Sequence, residues 1–393
     1  MGSGFPMKNS ILFLTNAYPD FDSSYRGIFI KKMAELLHAD GYELSVVTPK
    51  IYAKSRYYEQ HNGIKVYRFP FLAKNKLLIE YKKIPYLRMI LYYTTGLFLT
   101  MYAVFKNRCN MIHAHWAIPT GIIGVLVGTL LRKPLIVTIH GSDLRMALER
   151  RGFLRKLFAY VCENAIHVNC VSEVQKKQIE QLGIISEKVS VIPMGVDEAF
   201  LEMRKNRKIE LNKHPFIIIS NRNLLPIYNV SLLVRAIPIV LKDEPETKFL
   251  IAGDGSEKQN LEREVENLNL GASVQLLGRV AHKDMPKLLA QADIYVSTSP
   301  YDGTSVSLLE ALATGVFPVV TDIPSNREWI SDGDNGFLVP KENENLLARK
   351  IVEAIRDSKL LGEACKKNRR IIEQKAYWRK NIKKITELYQ NSG

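Results

Sequence analysis

One segment, residues 292–315, constrains the fold more than any other part of the chain. Its sequence, ADIYVSTSPYDGTSVSLLEALATG, begins with an apolar, β-branched run that predicts a strand ending at Pro300. A helix follows and stops at Gly315, and its apolar face carries Val306, Leu309 and Leu312. A helix that starts at the carboxyl end of a parallel strand points free backbone N–H groups into the crevice where such sheets bind ligands. Those amides suit a phosphate group.

Two acidic residues flank the predicted helix. Asp302 precedes it, and Glu310 lies near its second turn, about 9 Å along the axis at ~1.5 Å per residue. A diphosphate bound by the amides of Gly303, Thr304 and Ser305 would leave a ribose diol near Glu310 and a sugar near Asp302. A plain helix cap is the alternative for Gly303 and Thr304. The alternative for Asp302 is a helix-start acid stabilised by the helix dipole, and the alternative for Glu310 is a solvated helix acid. The segment outlines a nucleotide-sugar site.

The spacing of these acids resembles a family signature. Seven residues separate Asp302 from Glu310, as in the E-x7-E motif of the retaining, glycogen-synthase-like (group 1) glycosyltransferases with the GT-B fold. The family usually has Glu at the first position, so the reach of the shorter Asp302 differs. Other segments that resemble the family follow its order along the chain, namely residues 251–255, 277–280, 318–322, 328 and 332–340.

The resemblance implies roles for residues elsewhere in the chain. Arg222 would bind the donor diphosphate through its fixed and always charged guanidinium, and a surface arginine is the alternative. Arg279 and Val280 would lie at a loop near the nucleobase, and a structural role for Arg279 stays equally open. His140 would face the donor sugar, with a core or capping histidine as the alternative. Gly27 would let the backbone approach ligand or acceptor.

One expected cation is missing. The family usually has a lysine a few residues after the arginine, and Tyr228 stands there in this chain. Leaving-group charge would then rest on Arg222, on backbone amides or on a base from elsewhere. The resemblance implies a reaction without a metal. His113 and His115 share a strand face, but no third ligand is evident in the sequence, so no metal site is expected.

The fold class predicted is α/β, because apolar strand patterns alternate with helical ones along the chain. We expect two Rossmann-like parallel-sheet domains facing a central cleft, the GT-B arrangement. The N-terminal acceptor-side domain would span residues 7–200 and the C-terminal donor-binding domain residues 201–376, joined by a polar stretch at 200–215. Residues 377–393 would form a helix that packs back on the N-terminal domain. Residues 1–6 resemble an expression tag and are not part of the predicted fold.

The net charge of +15 is concentrated in the first half, where residues 50–156 hold 19 basic and 4 acidic residues. This predicts an anionic partner such as a membrane surface or a phosphorylated acceptor, although a merely solvated basic face stays open. No nucleic-acid partner is expected, since no zinc finger or RNP-type motif occurs. Four cysteines without CxxC or zinc spacing favour a cytoplasmic compartment. A cytoplasmic compartment is compatible with peripheral attachment to the inner face of the cell membrane.

Residues 89–105, MILYYTTGLFLTMYAVF, carry no charge. Their length is at the short limit for a membrane span, so a buried helix, an interfacial helix and a span are all considered. The basic residues that flank this segment and favour the interfacial alternative are Lys74, Lys76, Lys82, Lys83 and Arg88.

We therefore expect a retaining, metal-independent hexosyltransferase that moves a sugar from a UDP- or GDP-sugar to a hydroxyl acceptor, in cell-surface glycan or glycolipid synthesis. The acceptor would be a glycan, a lipid-linked sugar or a small molecule. No cofactor is expected, and the nucleotide diphosphate sugar is the donor substrate. A sugar-nucleotide epimerase of the same fold is one alternative. A non-catalytic membrane-surface binding protein is another, suggested by Asp302 and Tyr228.

Overall fold

The computed structural model describes residues 10–21, 24, 26–73, 75, 85–149, 152–203 and 215–391. The chain divides into two compact units, one of Met1–Ile192 with Ile382–Gly393 and one of Pro193–Asn381. The expected boundary at residue 200 falls inside the second unit, because Phe200 and Leu201 are buried in its core. Most of the expected linker at 200–215 lies outside the described residues.

The first unit contains an eight-stranded sheet in the order β3-β4-β2-β1-β5-β6-β7-β8. All neighbours pair in parallel except β3 and β4, which form an antiparallel hairpin. The strands are β1 Ser10–Thr15, β2 Glu43–Lys50, β3 Tyr58–His61, β4 Ile64–Pro70, β5 Met111–His115, β6 Leu135–Ile139, β7 His167–Cys170 and β8 Val189–Val191. The helices are α1 Ile28–Ala39, α2 Tyr86–Lys106, α3 Ile122–Leu131, α4 Ser142–Glu149, α5 Phe153–Asn164 and α6 Glu173–Glu180.

The second unit contains a six-stranded, wholly parallel sheet in the order β11-β10-β9-β12-β13-β14. Its strands are β9 Ile217–Ser220, β10 Lys248–Ala252, β11 Val274–Gly278, β12 Ile294–Ser297, β13 Phe317–Thr321 and β14 Phe337–Val339. Its helices are α7 Glu198–Glu202, α8 Val230–Asp243, α9 Lys258–Asn267, α10 Met285–Gln291, α11 Val306–Thr314, α12 Pro324–Arg327, α13 Glu344–Arg356 and α14 Ser358–Lys375. The strand order changes direction at β9 and β12, and in such sheets ligands bind beyond the carboxyl ends of the strands at that point.

The helix α11 forms as the sequence predicts. Gly315 ends it in the left-handed conformation with φ 78°, and Leu308, Leu309 and Leu312 are buried beneath it. These leucines join one of the unit's hydrophobic clusters, which also holds Tyr295 of β12. The packing fixes the start of α11 at the carboxyl end of β12.

The segment at 89–105 forms a helix, as part of α2. None of the helices in the described ranges is both long and apolar enough to cross a membrane. The expected C-terminal helix is α15, Trp378–Gln390. Its first residues belong to the second unit and its last turns to the first. In the first unit, Tyr389 Oη lies 2.6 Å from His113 Nδ1.

Candidate functional site

A buried arginine lies at the carboxyl end of β9. Arg222 Nη2 donates a hydrogen bond to Asp302 Oδ2 at 2.5 Å, and Nη1 donates to Ser307 Oγ at 2.8 Å and to Ser305 Oγ. Burial disfavours the charge of the guanidinium, but the Asp302 carboxylate contributes most to outweighing it, so the pKa of Arg222 is raised. The arginine stays charged although it is 8% exposed.

Tyr228 lies against this arginine. The Cζ atom of Arg222 is 4.3 Å from the centroid of the Tyr228 ring, which is within the range of a cation–π contact. Thr298 Oγ1, just after β12, donates to the backbone oxygens of Tyr228 at 3.2 Å and Asn229 at 2.7 Å. These bonds hold the turn that carries the ring. An aromatic face therefore occupies the position at which the resemblance implies a second cation.

The turn before α11 is fixed by side chains on both sides. Ser305 is the N-cap, and its Oγ accepts from the backbone N–H of Leu308 at 3.3 Å. Gly303 and Thr304 therefore lie in the turn and not in the helix. The N–H of Gly303 donates to Asp302 Oδ1 at 3.0 Å. Asp302 thus accepts from both the arginine and the turn that the sequence predicts to face a phosphate.

Two members of this cluster, Ser307 and Tyr295, are not predicted from the sequence. Ser307 Oγ lies 3.0 Å from Tyr295 Oη and 3.0 Å from Ser305 Oγ. Tyr295 is the one polar-tipped aromatic residue in β12, and Ser307 follows Ser305 by two positions. A Tyr in a buried strand needs a hydrogen-bond partner for its hydroxyl, and Tyr295 is fully buried. Tyr295 and the nearby Ser307 could therefore have been found in the sequence. The contacts with Tyr295 and Ser305 orient the Ser307 hydroxyl, which accepts a hydrogen bond from Arg222.

Glu310 is buried on the second turn of α11, where the sequence places it. Its Oε1 lies 2.9 Å from Nε2 of His282, and its side chain is 8% exposed. His282 was not predicted as a site residue, and it also lies 5.6 Å, ring to ring, from Phe200. The partly exposed imidazole of His282 is therefore the partner of this buried carboxylate.

Arg279 and Val280 lie beyond β11, next to the loop that follows β10. Arg279 Nη2 is 3.0 Å from Asp254 Oδ2. That loop touches the backbone of Arg222, since a Cβ at Gly253 would fall 2.1 Å from Arg222 O. The structure therefore brings Arg279 to the carboxyl edge of the sheet, where it pairs with Asp254.

The candidate histidine of the first unit lies among aromatic rings. His140 follows β6, and its Nε2 is 3.1 Å from Nδ1 of His115 at the end of β5. The centroid of its ring is 4.4 Å from that of Trp116 and 5.2 Å from that of Phe29. His113 stacks on His115 with 4.5 Å between centroids. The three histidines form a continuous stack at this sheet edge.

Burial sets the protonation of this stack. It lowers the pKa of His140 to about 3 and that of His113 to about 3, so both rings are neutral at pH 7. Burial also raises the pKa of Asp143 to about 6, although the backbone N–H groups of Ala117 and Gly141 donate to it at 2.7 and 3.1 Å. His113 and His140 are therefore neutral hydrogen-bonding groups at this edge.

Gly27 begins α1 close to the same rings. Its φ is 65°, and a Cβ there would fall 2.2 Å from the backbone oxygen of Ala17, so only glycine fits this turn without strain. Phe29, two residues later, carries the ring that contacts His140. The structure thus places Gly27 and His140 near each other within the first unit.

The part of the chain that the structure describes holds no group of three or more His, Cys, Asp or Glu side chains arranged to bind a metal. The expected membrane-facing lysines Lys74, Lys76, Lys82 and Lys83 lie outside the described residues.

Two family models match the chain in succession. Glycosyltransferase Family 4 matches residues 27–200, and Glycosyl transferases group 1 matches residues 202–378. The chain belongs to the group 1 glycosyltransferases. The family predicted from the order of the motifs is confirmed, and so is the α/β class with two parallel-sheet domains.

Proteins similar to this family member are found among both sequences and structures. An uncharacterized glycosyltransferase of Methanocaldococcus jannaschii is 28% identical over 287 residues, which cover 72% of this chain and 75% of that protein. The UDP-Gal:alpha-D-GlcNAc-diphosphoundecaprenol alpha-1,3-galactosyltransferase of Escherichia coli is 27% identical over 298 residues, covering 72% and 76%. The structure of HepE from Anabaena in complex with UDP-glucose has a TM-score of 0.74 at 19% identity, covering 97% and 99%, and shares the fold.

Proposed function

We propose that this chain is a retaining glycosyltransferase that moves a sugar from a UDP-sugar to a hydroxyl group of a lipid-linked or cell-surface glycan. One observation carries the proposal: the charged, buried Arg222 at the carboxyl end of β9, held at 2.5 Å by Asp302. Negative charge grows on the diphosphate as the bond to the sugar breaks. A preformed guanidinium is the group that stabilises it, because it needs no reorganisation at that moment.

The arginine has hydrogen-bonding capacity left for an anion. Among the described residues, Arg222 Nε is a buried donor without a hydrogen-bond partner. The Asp302 carboxylate accepts the hydrogen bond from Nη2. We expect a donor phosphate to share the guanidinium with Asp302 and to replace it as the acceptor of the Gly303 amide, with Thr304 at the same turn.

Glu310 would bind the ribose. Its carboxylate lies on the same helix as the phosphate-facing turn, and a carboxylate can accept two hydrogen bonds from a diol. The ribose hydroxyls would replace the contact with His282 at 2.9 Å. Arg279 and Val280, at the neighbouring loop, would then adjoin the nucleobase.

The relatives support the choice of donor and acceptor. The Escherichia coli relative is named for a UDP-galactose donor and a diphosphoundecaprenol-linked acceptor. The Anabaena structure holds UDP-glucose. These names favour UDP over GDP as the carrier.

The chemistry proposed needs no side-chain base and no metal. The bond between the anomeric carbon and the diphosphate oxygen breaks, and the acceptor oxygen forms its bond on the same face of the sugar. The acceptor proton passes to the departing phosphate. His140, neutral because burial lowers its pKa to about 3, would bind a donor-sugar hydroxyl in this scheme.

Radiolabelled UDP-glucose, UDP-galactose, UDP-N-acetylglucosamine and their GDP counterparts test the proposal, with extracted membrane lipids as acceptors. We expect label to appear in lipid or in free sugar with a UDP donor. Conversion of one sugar nucleotide into another would instead indicate an epimerase. No reaction and no binding with any donor would contradict a catalytic role.

A further inference from the structure

Both faces of α2 carry apolar residues. Tyr92, Ala103 and Val104 are buried against the first unit, and the outward face is apolar as well. Thr100 and Gly96 are buried on the inward face, and Thr100 Oγ1 donates to Gly96 O at 2.6 Å. The large apolar residues that point outward are Leu87, Ile90, Phe98, Tyr102 and Phe105. Leu87 is 83% exposed and Phe98 is 70% exposed. An ordinary surface helix turns an apolar side to the core and a polar side to the solvent, whereas α2 has apolar residues on both sides.

These five residues lie along one side of α2 as a stripe at helical spacing, which the exposed Thr94 interrupts between Ile90 and Phe98. At ~1.5 Å per residue the stripe from Leu87 to Phe105 is about 27 Å long. We call it the α2 stripe. It is too large to be explained as scattered surface apolar residues, and contiguous patches of this kind mark interaction sites.

The apolar surface continues onto neighbouring elements. Phe98 and Tyr102 also line a groove of about 800 Å³ whose other wall includes Tyr57, Tyr58 and Tyr67 of the β3–β4 region. The apolar surface therefore extends from α2 to the β3–β4 region.

Basic residues stand at both ends of the stripe. Residues 89–105 carry no charge, while Arg88 lies before them and Lys106 and Arg108 after them. Residues 50–156 as a whole hold 19 basic and 4 acidic residues. An apolar stripe with cations at its ends matches a lipid surface, in which acyl chains lie beneath anionic headgroups. Tyr102 also suits the headgroup level, since its ring is apolar and its tip polar.

We propose that α2 lies in the plane of an anionic bilayer surface, with the α2 stripe inserted and the flanking cations at the headgroups. A second copy of this chain fits the stripe less well. Two stripes packed together in either direction would bring basic ends against basic ends, and like charges at an interface are unfavourable. The inference does not depend on the donor chemistry, but it would hold the proposed enzyme where a lipid-linked acceptor is found.

Vesicle flotation tests the proposal with the full chain. We expect binding to phosphatidylcholine vesicles that contain about one third phosphatidylglycerol, weaker binding to pure phosphatidylcholine, and a decrease as sodium chloride is raised. The test variant is Phe98→Glu with Phe105→Glu. Its partition coefficient should fall by about tenfold or more, because binding scales with the apolar area inserted.

The matched control is Ile185→Glu, a 62% exposed apolar residue of the same unit outside α2. We expect it to bind vesicles like the wild type. Thermal unfolding should be nearly unchanged in both variants, since the substituted side chains are exposed. A Phe98→Trp variant should show blue-shifted fluorescence on anionic vesicles and quenching by brominated lipid.

Three results would overturn the proposal. They are absence of binding to anionic vesicles at low salt, equal binding by the double variant and the wild type, and a dimer that requires the stripe without any vesicle binding. UDP binding, measured without vesicles, reports on the proposed function alone, so failure of one proposal is distinguishable from failure of the other.

Discussion

Arg222 and Asp302 form an ion pair, with 2.5 Å between Nη2 and Oδ2, that joins the end of β9 to the turn before α11. The side chains are 8% and 19% exposed, so water screens the pair only in part. The pair holds a positive charge and a helix-start turn together before any ligand arrives. This preorganisation is what the proposed reaction uses.

Replacing Arg222 should impair catalysis more than donor binding. In Arg222→Ala we expect kcat to fall by roughly 10²–10³, because the charge on the leaving diphosphate is greatest in the transition state. The affinity for UDP should fall less. Steady-state kinetics with the preferred UDP-sugar, with a calorimetric titration of UDP, measure both effects.

The matched control is Arg235→Ala, an exposed arginine of the same unit that pairs with Glu264 and Glu344. Its kcat should stay within a factor of about three of wild type, since exposed ion pairs contribute little. If Arg222→Ala and Arg235→Ala had similar kcat values, Arg222 would have no role in leaving-group stabilisation.

Glu310→Gln should weaken nucleotide binding and activity together. The proposed ribose contact exists before and during reaction, so its loss appears in ground-state affinity. Hydrogen bonds to a charged group contribute enough that we expect about a tenfold or larger rise in the Kd of UDP. Titration calorimetry checks this, and an unchanged Kd for every nucleoside diphosphate would reject the ribose role.

Tyr228→Lys tests the aromatic replacement of the expected cation. A lysine there would add a second positive charge beside Arg222, so the Tm of the free protein should fall. UDP should then raise the Tm more than it does in the wild type, because the diphosphate neutralises both cations. Thermal shift with and without UDP measures both, and Tyr228→Phe, which keeps the ring, is the control. Identical UDP shifts in all three proteins would count against a diphosphate near Tyr228.

Acid should destabilise the protein through its buried histidines. Burial lowers the pKa of His113 and of His140 from 6.5 to about 3. The stability that their neutral rings contribute is therefore present above pH 6.5 and is lost as pH falls towards 3. Asp143 acts oppositely, since its pKa is raised from 3.8 to about 6 and its contribution is lost as pH rises through 6. The histidines outnumber the acid, so the free energy of unfolding should fall on acidification from pH 6.5 to 4.

Urea unfolding at several pH values measures this slope. His140→Gln should reduce the slope by up to about 1.4 kcal/mol per pH unit in that window, the value for one proton. A slope equal to that of the wild type would mean that His140 is not held neutral by the fold.

Much of the fold follows from local pattern. The strand predicted before Pro300 forms as β12, Ile294–Ser297, because an apolar, β-branched run suits a buried parallel strand. The hairpin of β3 and β4 was not predicted, although Asn62 and Gly63, both at positive φ, are a signal for a tight turn. The polar residues of β3 hid the pattern, since three of its four residues are exposed.

The candidate site was predictable only in part. Arg222, Asp302 and Ser305 meet as the order of the family motifs suggests, because the parallel sheet brings the ends of β9 and β12 together. The pairing of Glu310 with His282 could not be predicted, since it depends on how the loop after β11 folds over α11. The outward stripe of α2 also depends on three-dimensional packing. The sequence shows that the helix is apolar, but it does not show which side of the helix is buried.

The most direct test of the central claim is a calorimetric titration of UDP into the wild type, Arg222→Ala, Glu310→Gln and Arg235→Ala. The claim is that a nucleoside diphosphate binds at the carboxyl end of the second sheet, between Arg222 and Glu310. We predict one site per chain in the wild type and in Arg235→Ala, with weaker binding in the other two variants and the larger loss in Glu310→Gln. Equal affinity in all four proteins, or no binding of any nucleoside diphosphate, would contradict the account.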